Sequence, residues 1–382
     1  MADAAYNTRV FGRRLSWGTA LVALLLGWAF TRPPAAGRPK TSPSARPAPR
    51  PSAPRTETEA SSRPLDPSDP FASAASCAAL VGAGQRLPRA PHTARFVSWN
   101  LHWFPDGVPG QKDSGVDLSW LGCALAWLDA DVLAVQEVKQ SAAAEQALQA
   151  ALSELNRRSG GRYVARLDDC GRRVPQHVGL VWNEARAAAS EVQTVAELNP
   201  HGSACESQLR PGLAARFRLP GGLDLQVVSA HFKSMADKRA FELRGTSFQA
   251  VPGLLRRLTS AAHDSDFLLL GDLNTMGCED CVPLVSGLAE VLAVEQQLRG
   301  AGVRLVPADA AGTEFYQGRL TLLDHALAAT AMRELPPGAQ SHVAGACAAG
   351  SAPLTRRDAK QLSRKLSDHC PLVLDLTDRD LD

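Results

Sequence analysis

A layered α/β domain, set behind an apolar N-terminal helix and a proline-rich tether, is the fold class this sequence predicts. Two observations lead there. Short apolar runs that each stop on polar groups recur from about residue 95 onward, and helical patterns with apolar residues at three- and four-residue spacing lie between them. The 382 residues, 45% hydrophobic, suffice for one large or two ordinary domains. No internal repeat at a fixed period is visible.

The chain begins with Arg9, Arg13 and Arg14 ahead of an apolar run at 15–30, "LSWGTALVALLLGWAF". Flanking arginines predict that the chain beyond this run lies outside the cytoplasm. The run falls between a signal-peptide core and a full membrane span, so residues 1–30 read as a signal-anchor or a cleaved signal peptide. The protein is then membrane-anchored on the outer side, or secreted. Residues 31–70 hold 11 of the 26 prolines. That composition cannot bury a core and predicts an extended linker. The domain proper is expected over 71–382.

Seven segments read as strands: 95–100, 131–137, 178–183, 225–231, 267–274, 322–329 and 371–376. Helices are expected over 118–128, 142–155 and 239–258. The run "LLLGDLNT" at 268–275 poses the functional question, because Asp272 and Asn274 are two apart and share a face at the end of a buried strand. Gly271 before them permits close backbone approach. Turn-forming residues capping a strand would look the same, so the other strand ends must decide. They carry Asn100, Glu137, His231, Asp324, Asp368 and His369. Carboxylates, amides and imidazoles without cysteine suit a hard cation such as Mg²⁺ or Mn²⁺ beside acid–base groups.

The formal net charge of +2 gives no global footprint of a nucleic-acid binder, although a phosphate substrate needs only local cations. Eight cysteines in a chain read as exported predict disulfides. The expected pairs are Cys170 with Cys205, Cys278 with Cys281, and Cys347 with Cys370. "CEDC" at 278–281 reads as a loop staple, since no second CxxC or paired histidines complete a zinc site.

The ordered motifs "SWNLHW", "AVQEV", "SAHFKS", "GDLNT", "LLDHAL" and "SDHCPL" resemble those of the endonuclease/exonuclease/phosphatase superfamily, which includes pancreatic-type deoxyribonuclease, exonuclease III and the neutral sphingomyelinases. The resemblance spans about residues 94–376. It implies a four-layer α/β/β/α sandwich of two packed mixed sheets flanked by helices. It further implies a monomeric, Mg²⁺- or Mn²⁺-dependent phosphodiester hydrolase with nucleic acid as substrate. A lipid phosphodiesterase or phosphatase on the same site is the alternative, and a non-catalytic phosphate-polymer binding module is the reading from another class.

Carried over by position, the resemblance makes Glu137 a metal ligand, with Asn100 beside it at the metal and phosphate, and Asp368 a further ligand. His231 becomes a catalytic histidine. Asp272 would orient or deprotonate the attacking water, Asn274 would bond a phosphate oxygen, and Asp324 would pair with His369. Arg210 would fork onto phosphate oxygens, whereas Lys233 and Arg244 read as solvated surface groups. Two departures stand out. Cys370 replaces a frequent aromatic residue, and the glutamate that supports the histidine in pancreatic-type enzymes has no clear equivalent, leaving Asp168 or Asp169 to replace it.

Overall fold

The computed structural model describes residues 63–382 apart from 112–113, 204, 206–208, 317–318 and 349–353. The apolar segment at 15–30 and the tether up to residue 62 lie outside the described residues. Among those described, no helix is long and apolar enough to cross a membrane.

The strands, numbered along the chain, form two six-stranded mixed sheets. The first has the order β15 (His342–Val343), β16 (Leu372–Thr377), β1 (Thr93–Phe104), β2 (Val132–Val138), β4 (His177–Asn183) and β3 (Tyr163–Leu167). The second runs β11 (Val303–Val306), β14 (Asp324–Ala329), β8 (Phe267–Asp272), β7 (Asp224–His231), β6 (Gly212–Arg218) and β5 (Ala188–Val195). Two small hairpins pair β9 (Gly277–Cys278) with β10 (Val285–Ser286), and β12 (Glu314–Tyr316) with β13 (Arg319–Thr321). Each large sheet has one parallel pair, β1 with β2 and β7 with β8, flanked by antiparallel neighbours. These central strands pack face to face across one continuous apolar core.

Among the described residues, six helices flank the sheets: α1 (Ala74–Gly82), α2 (Leu118–Leu128), α3 (Ala142–Ser159), α4 (Lys238–Ala262), α5 (Gly287–Arg299) and α6 (Arg356–Lys365). Side-chain caps start α2, α3 and α4, where Asp117, Ser141 and Asp237 each accept a backbone N–H of the first turn. α3 continues past the expected residue 155 because Arg157 and Arg158 complement its C-terminal dipole and left-handed Gly160 closes it. The outer strands β3, β5, β6 and β11 were not expected from the sequence. β3 and β5 are partly exposed edge strands without long apolar runs, and β6 carries arginines on alternate residues. Contacts with the domain also begin earlier than the expected boundary, since Arg63 bridges Leu354 and Leu65 N donates to Asp358.

Four disulfides form and no described cysteine is free. Cys170–Cys205, Cys278–Cys281 and Cys347–Cys370 are the expected pairs. Cys77–Cys123, joining the packed helices α1 and α2, is an addition. Arg244 corrects the surface reading: it is 0% exposed. Its guanidinium binds both Glu290 oxygens at 2.8 and 3.0 Å and the carbonyls of Lys233, Met235 and Gly277. One cation thereby ties α4 and α5 to the loops that follow β7 and β8. Removing it would leave Glu290 buried without its cation. Arg244→Ala should therefore lower stability by about 3 to 5 kcal/mol, measured by urea denaturation.

Candidate active site

The topology explains why the polar strand ends meet. Parallel β1, β2, β7 and β8 finish at one rim, and their antiparallel neighbours β14 and β16 begin there. In the second sheet His231 pairs with Asp272, and Asp272 with Asp324, so three of the expected site residues stand on adjacent strands. Gly271 is required one residue earlier: a Cβ there would lie 1.9 Å from the Ala230 carbonyl oxygen.

Asp272 occupies the centre. Its Oδ2 accepts from Asn100 Nδ2 at 3.0 Å and lies 3.4 Å from His231 Nε2 and 3.9 Å from His369 Nε2. Its Oδ1 accepts from Asn274 N at 3.0 Å. Burial, reinforced by the charges of Asp324 and Glu137 and opposed by His369, pushes its pKa up to about 8. His369 Nδ1 pairs with Asp324 Oδ2 at 2.7 Å, which fixes the tautomer and leaves Nε2 facing Asp272. Burial opposes a charge on His369, yet Asp324 and Asp272 outweigh it and raise its pKa well above the ordinary value. His231 moves the other way. Burial first, then Arg210 and His369, hold it well below the ordinary imidazole range.

Glu137 sits where β2 departs from regular pairing, with a left-handed φ of 61°. Its Oε2 accepts from Trp103 N at 2.9 Å, and its Oε1 lies 3.8 Å from His231 Nε2. His102, Trp103 and Asn274 are also left-handed, so four non-glycine residues in this uncommon region cluster at one rim. The side chains of Glu137, His102 and His369 keep 15, 14 and 7% exposure, while Asp324 keeps none. The rim thus opens to solvent above a buried floor.

Several expected residues have hydrogen-bond partners within the domain. Asn100 is wholly buried behind the rim, where its amide donates to Asp272 and accepts from His102 N. Arg210 is half-buried, and its guanidinium spans the carbonyls of His231 and Phe232 and the side chain of Gln176. Asn274 donates to the Phe232 carbonyl at 3.3 Å. Neither Asp168 nor Asp169 supports His231. Asp168 pairs with His177 at 2.8 Å, Asp169 accepts from Thr194, and His231 Nδ1 is buried without a hydrogen-bond partner among the described residues. Asp368 is hydrogen-bonded to His102 Nδ1.

His102 and Glu314 were missed. His102 carried a signal, because it lies two residues beyond Asn100 in "SWNLHW". Glu314 carried none: it reaches the site only through a bridge between the short strand β12 and His369. Burial, with Asp368 and Asp324 adding to it, pushes Glu314 up to about 7.

The donor set fits a hard divalent cation. Glu137 Oε1 and Asp368 Oδ2 are carboxylate oxygens that accept no hydrogen bond among the described residues, the hard donors such an ion prefers. Glu137 and Asp368 would hold the ion.

No family model and no curated protein sequence matches the chain. Solved structures do. An endonuclease/exonuclease/phosphatase from Bacteroides vulgatus is 14% identical, with 76% of this chain and 99% of that one covered, at a TM-score of 0.51. The human Nocturnin catalytic domain is 17% identical over 75% and 95% of the two chains, at 0.46. A mannosyl-6-phosphatase from Bacteroides thetaiotaomicron is 13% identical over 74% and 99%, at 0.47. With its two packed mixed sheets and flanking helices, this chain has the endonuclease/exonuclease/phosphatase fold.

Proposed function

We propose that this protein is a divalent-metal-dependent phosphodiester hydrolase, and specifically an exported nuclease that cleaves DNA or RNA. The observation that carries the reading is the Asp324–His369 pair at 2.7 Å with Asp272 beside it, an oriented imidazole and a carboxylate at one solvent-facing rim. His231, held neutral, takes the proton of the attacking water, and His369, held protonated between Asp324 and Asp272, delivers one to the leaving oxygen, the reverse of the roles that the resemblance implied. Asn274 keeps an amide hydrogen for a phosphoryl oxygen, and the Arg210 fork adds positive charge at the edge. A bound Mg²⁺ or Mn²⁺ would supply charge stabilisation at the phosphoryl group.

A polymeric substrate is favoured by α6, which leads directly into Asp368 and His369. Arg356, Arg357, Lys360 and Lys365 are exposed on it, and none forms an ion pair among the described residues. Cations in a first helical turn oppose the helix dipole, so Arg356 and Arg357 do not serve the helix itself. A ten-residue helix is about 15 Å long, enough to follow several phosphates of a strand. Four disulfides suit an oxidising compartment and so support export. The reading also takes the N-terminal segment as the membrane signal or anchor and the enzyme as a monomer.

Plasmid DNA, RNA, sphingomyelin and phosphoinositides assayed with Mg²⁺ and with chelator test the substrate class; turnover of lipids alone would overturn the nuclease reading. Asp272→Asn and His369→Ala should each lower hydrolysis at least about a hundredfold with the fold intact by circular dichroism. Glu137→Gln should raise the Mg²⁺ concentration needed for half-maximal rate, with partial recovery in Mn²⁺. The double variant Arg357→Glu/Lys360→Glu should raise KM for DNA by about tenfold and flatten its salt dependence. Its turnover of a chromogenic phosphodiester should stay unchanged.

A further inference from the structure

Where β8 begins, rather than where it ends, five carboxylates from three chain segments converge. Asp264 and Asp266 lie in the turn before β8, Glu334 follows β14, and Asp380 and Asp382 follow β16. Oxygens of Asp264, Asp266 and Asp382 lie within 4.8 Å of one another, and so do those of Glu334, Asp380 and Asp382. β8 has six residues, a rise of about 20 Å, so the cluster is well removed from the catalytic rim.

Acidic surface clusters are common, but this one has a buried floor. Asp266 is 1% exposed and Glu334 0%. No N–H of the described residues donates to either oxygen of Asp266 or to Oε2 of Glu334, and the two carboxyl groups face each other within hydrogen-bonding reach. Leu381 N supplies the one donor to Glu334 Oε1, at 2.6 Å. The nearby arginines are committed elsewhere, Arg216 to Asp224 and Arg333 to the Leu381 carbonyl. Burial, then the negative charge of Glu334 and the hydrogen bond shared with it, and last the charges of Asp264 and Asp382, drive Asp266 up to about 9. Facing buried carboxyl groups without donors are held together either by a shared proton or by a cation.

We propose that this cluster is a structural calcium site, with Asp266 and Glu334 as its buried ligands and Asp264, Asp380 and Asp382 closing it from the solvent side. All donors are oxygens, the preference of a hard cation, and carboxylates from three segments suit the flexible six- to eight-oxygen shell of Ca²⁺ better than the strict octahedron of Mg²⁺. An open cleft of roughly 830 Å³, lined in part by Asp264, Asp380 and Asp382, gives the ion a path. Bound there, Ca²⁺ would fasten the chain after β16 to the turn before β8 and to Glu334, at an edge where strands of both sheets meet.

Chelator-stripped full-length protein titrated with CaCl₂ alone tests this. At a concentration about a hundredfold above the dissociation constant, Tm should rise by about 5 °C. Glu137→Gln, altered at the catalytic rim, should keep the rise, whereas Asp266→Asn and Glu334→Gln should lose it. Should either buried variant fail to fold, exposed Asp380→Asn should still fold and raise the calcium midpoint by about tenfold. The proposal is overturned if calcium leaves the wild-type Tm unchanged, as a shared proton alone would predict. It is equally overturned if the rise disappears in Glu137→Gln and persists in Asp266→Asn.

Discussion

Two buried hydrogen bonds cross from one sheet to the other, and the site depends on both. Asn100 on β1 donates to Asp272 on β8, and His369, just before β16, is held by Asp324 on β14. Each joins residues far apart in sequence at the rim where the central strands finish. Beneath them Gln136 on β2 reaches Ser229 on β7, and the Ser229 hydroxyl donates to the Val135 carbonyl. Buried polar groups need partners, so these contacts admit few relative positions of the two sheets. A slide of one sheet by a residue would break all of them together and would separate the carboxylate from its imidazole.

The surroundings reinforce that geometry from outside the core. The fully enclosed Arg244 holds the loops behind His231 and after Asn274. The Cys347–Cys370 bridge anchors the residue next to His369. Ser367 donates to the Asn100 carbonyl and accepts from His369 N, which fixes the turn between α6 and β16. Left-handed backbone at His102, Trp103, Glu137 and Asn274 is tolerated only because such contacts over-determine it. Substitutions remote from the chemistry should therefore reach it through these supports.

The opposite shifts of the two histidines arise from one low-dielectric pocket. His369 has a carboxylate on each side and gains its proton despite burial. His231 faces Arg210 and has an unpartnered Nδ1, so burial prevails. Two imidazoles on either side of Asp272 are thus held differently, His231 towards the neutral form and His369 towards the charged one.

The sequence by itself determined the central strands and the polar strand ends that the fold gathers at one rim. Buried strands need continuous apolar runs, and polar residues that end such runs must find partners or a ligand. Asn100, Glu137, His231, Asp272, Asn274, Asp324, Asp368 and His369 were all legible for that reason, and so were three of the disulfides. The edge strands β3 and β5 left no comparable pattern, because half-exposed residues are weakly constrained. Only the tertiary structure decided the partners. A guanidinium reads the same whether it is solvated or enclosed, yet folding buries Arg244 against Glu290, gives Asp168 to His177 and Asp368 to His102, and carries Glu314 to the rim. Long-range pairing depends on register and sheet packing, which no local stretch of sequence encodes.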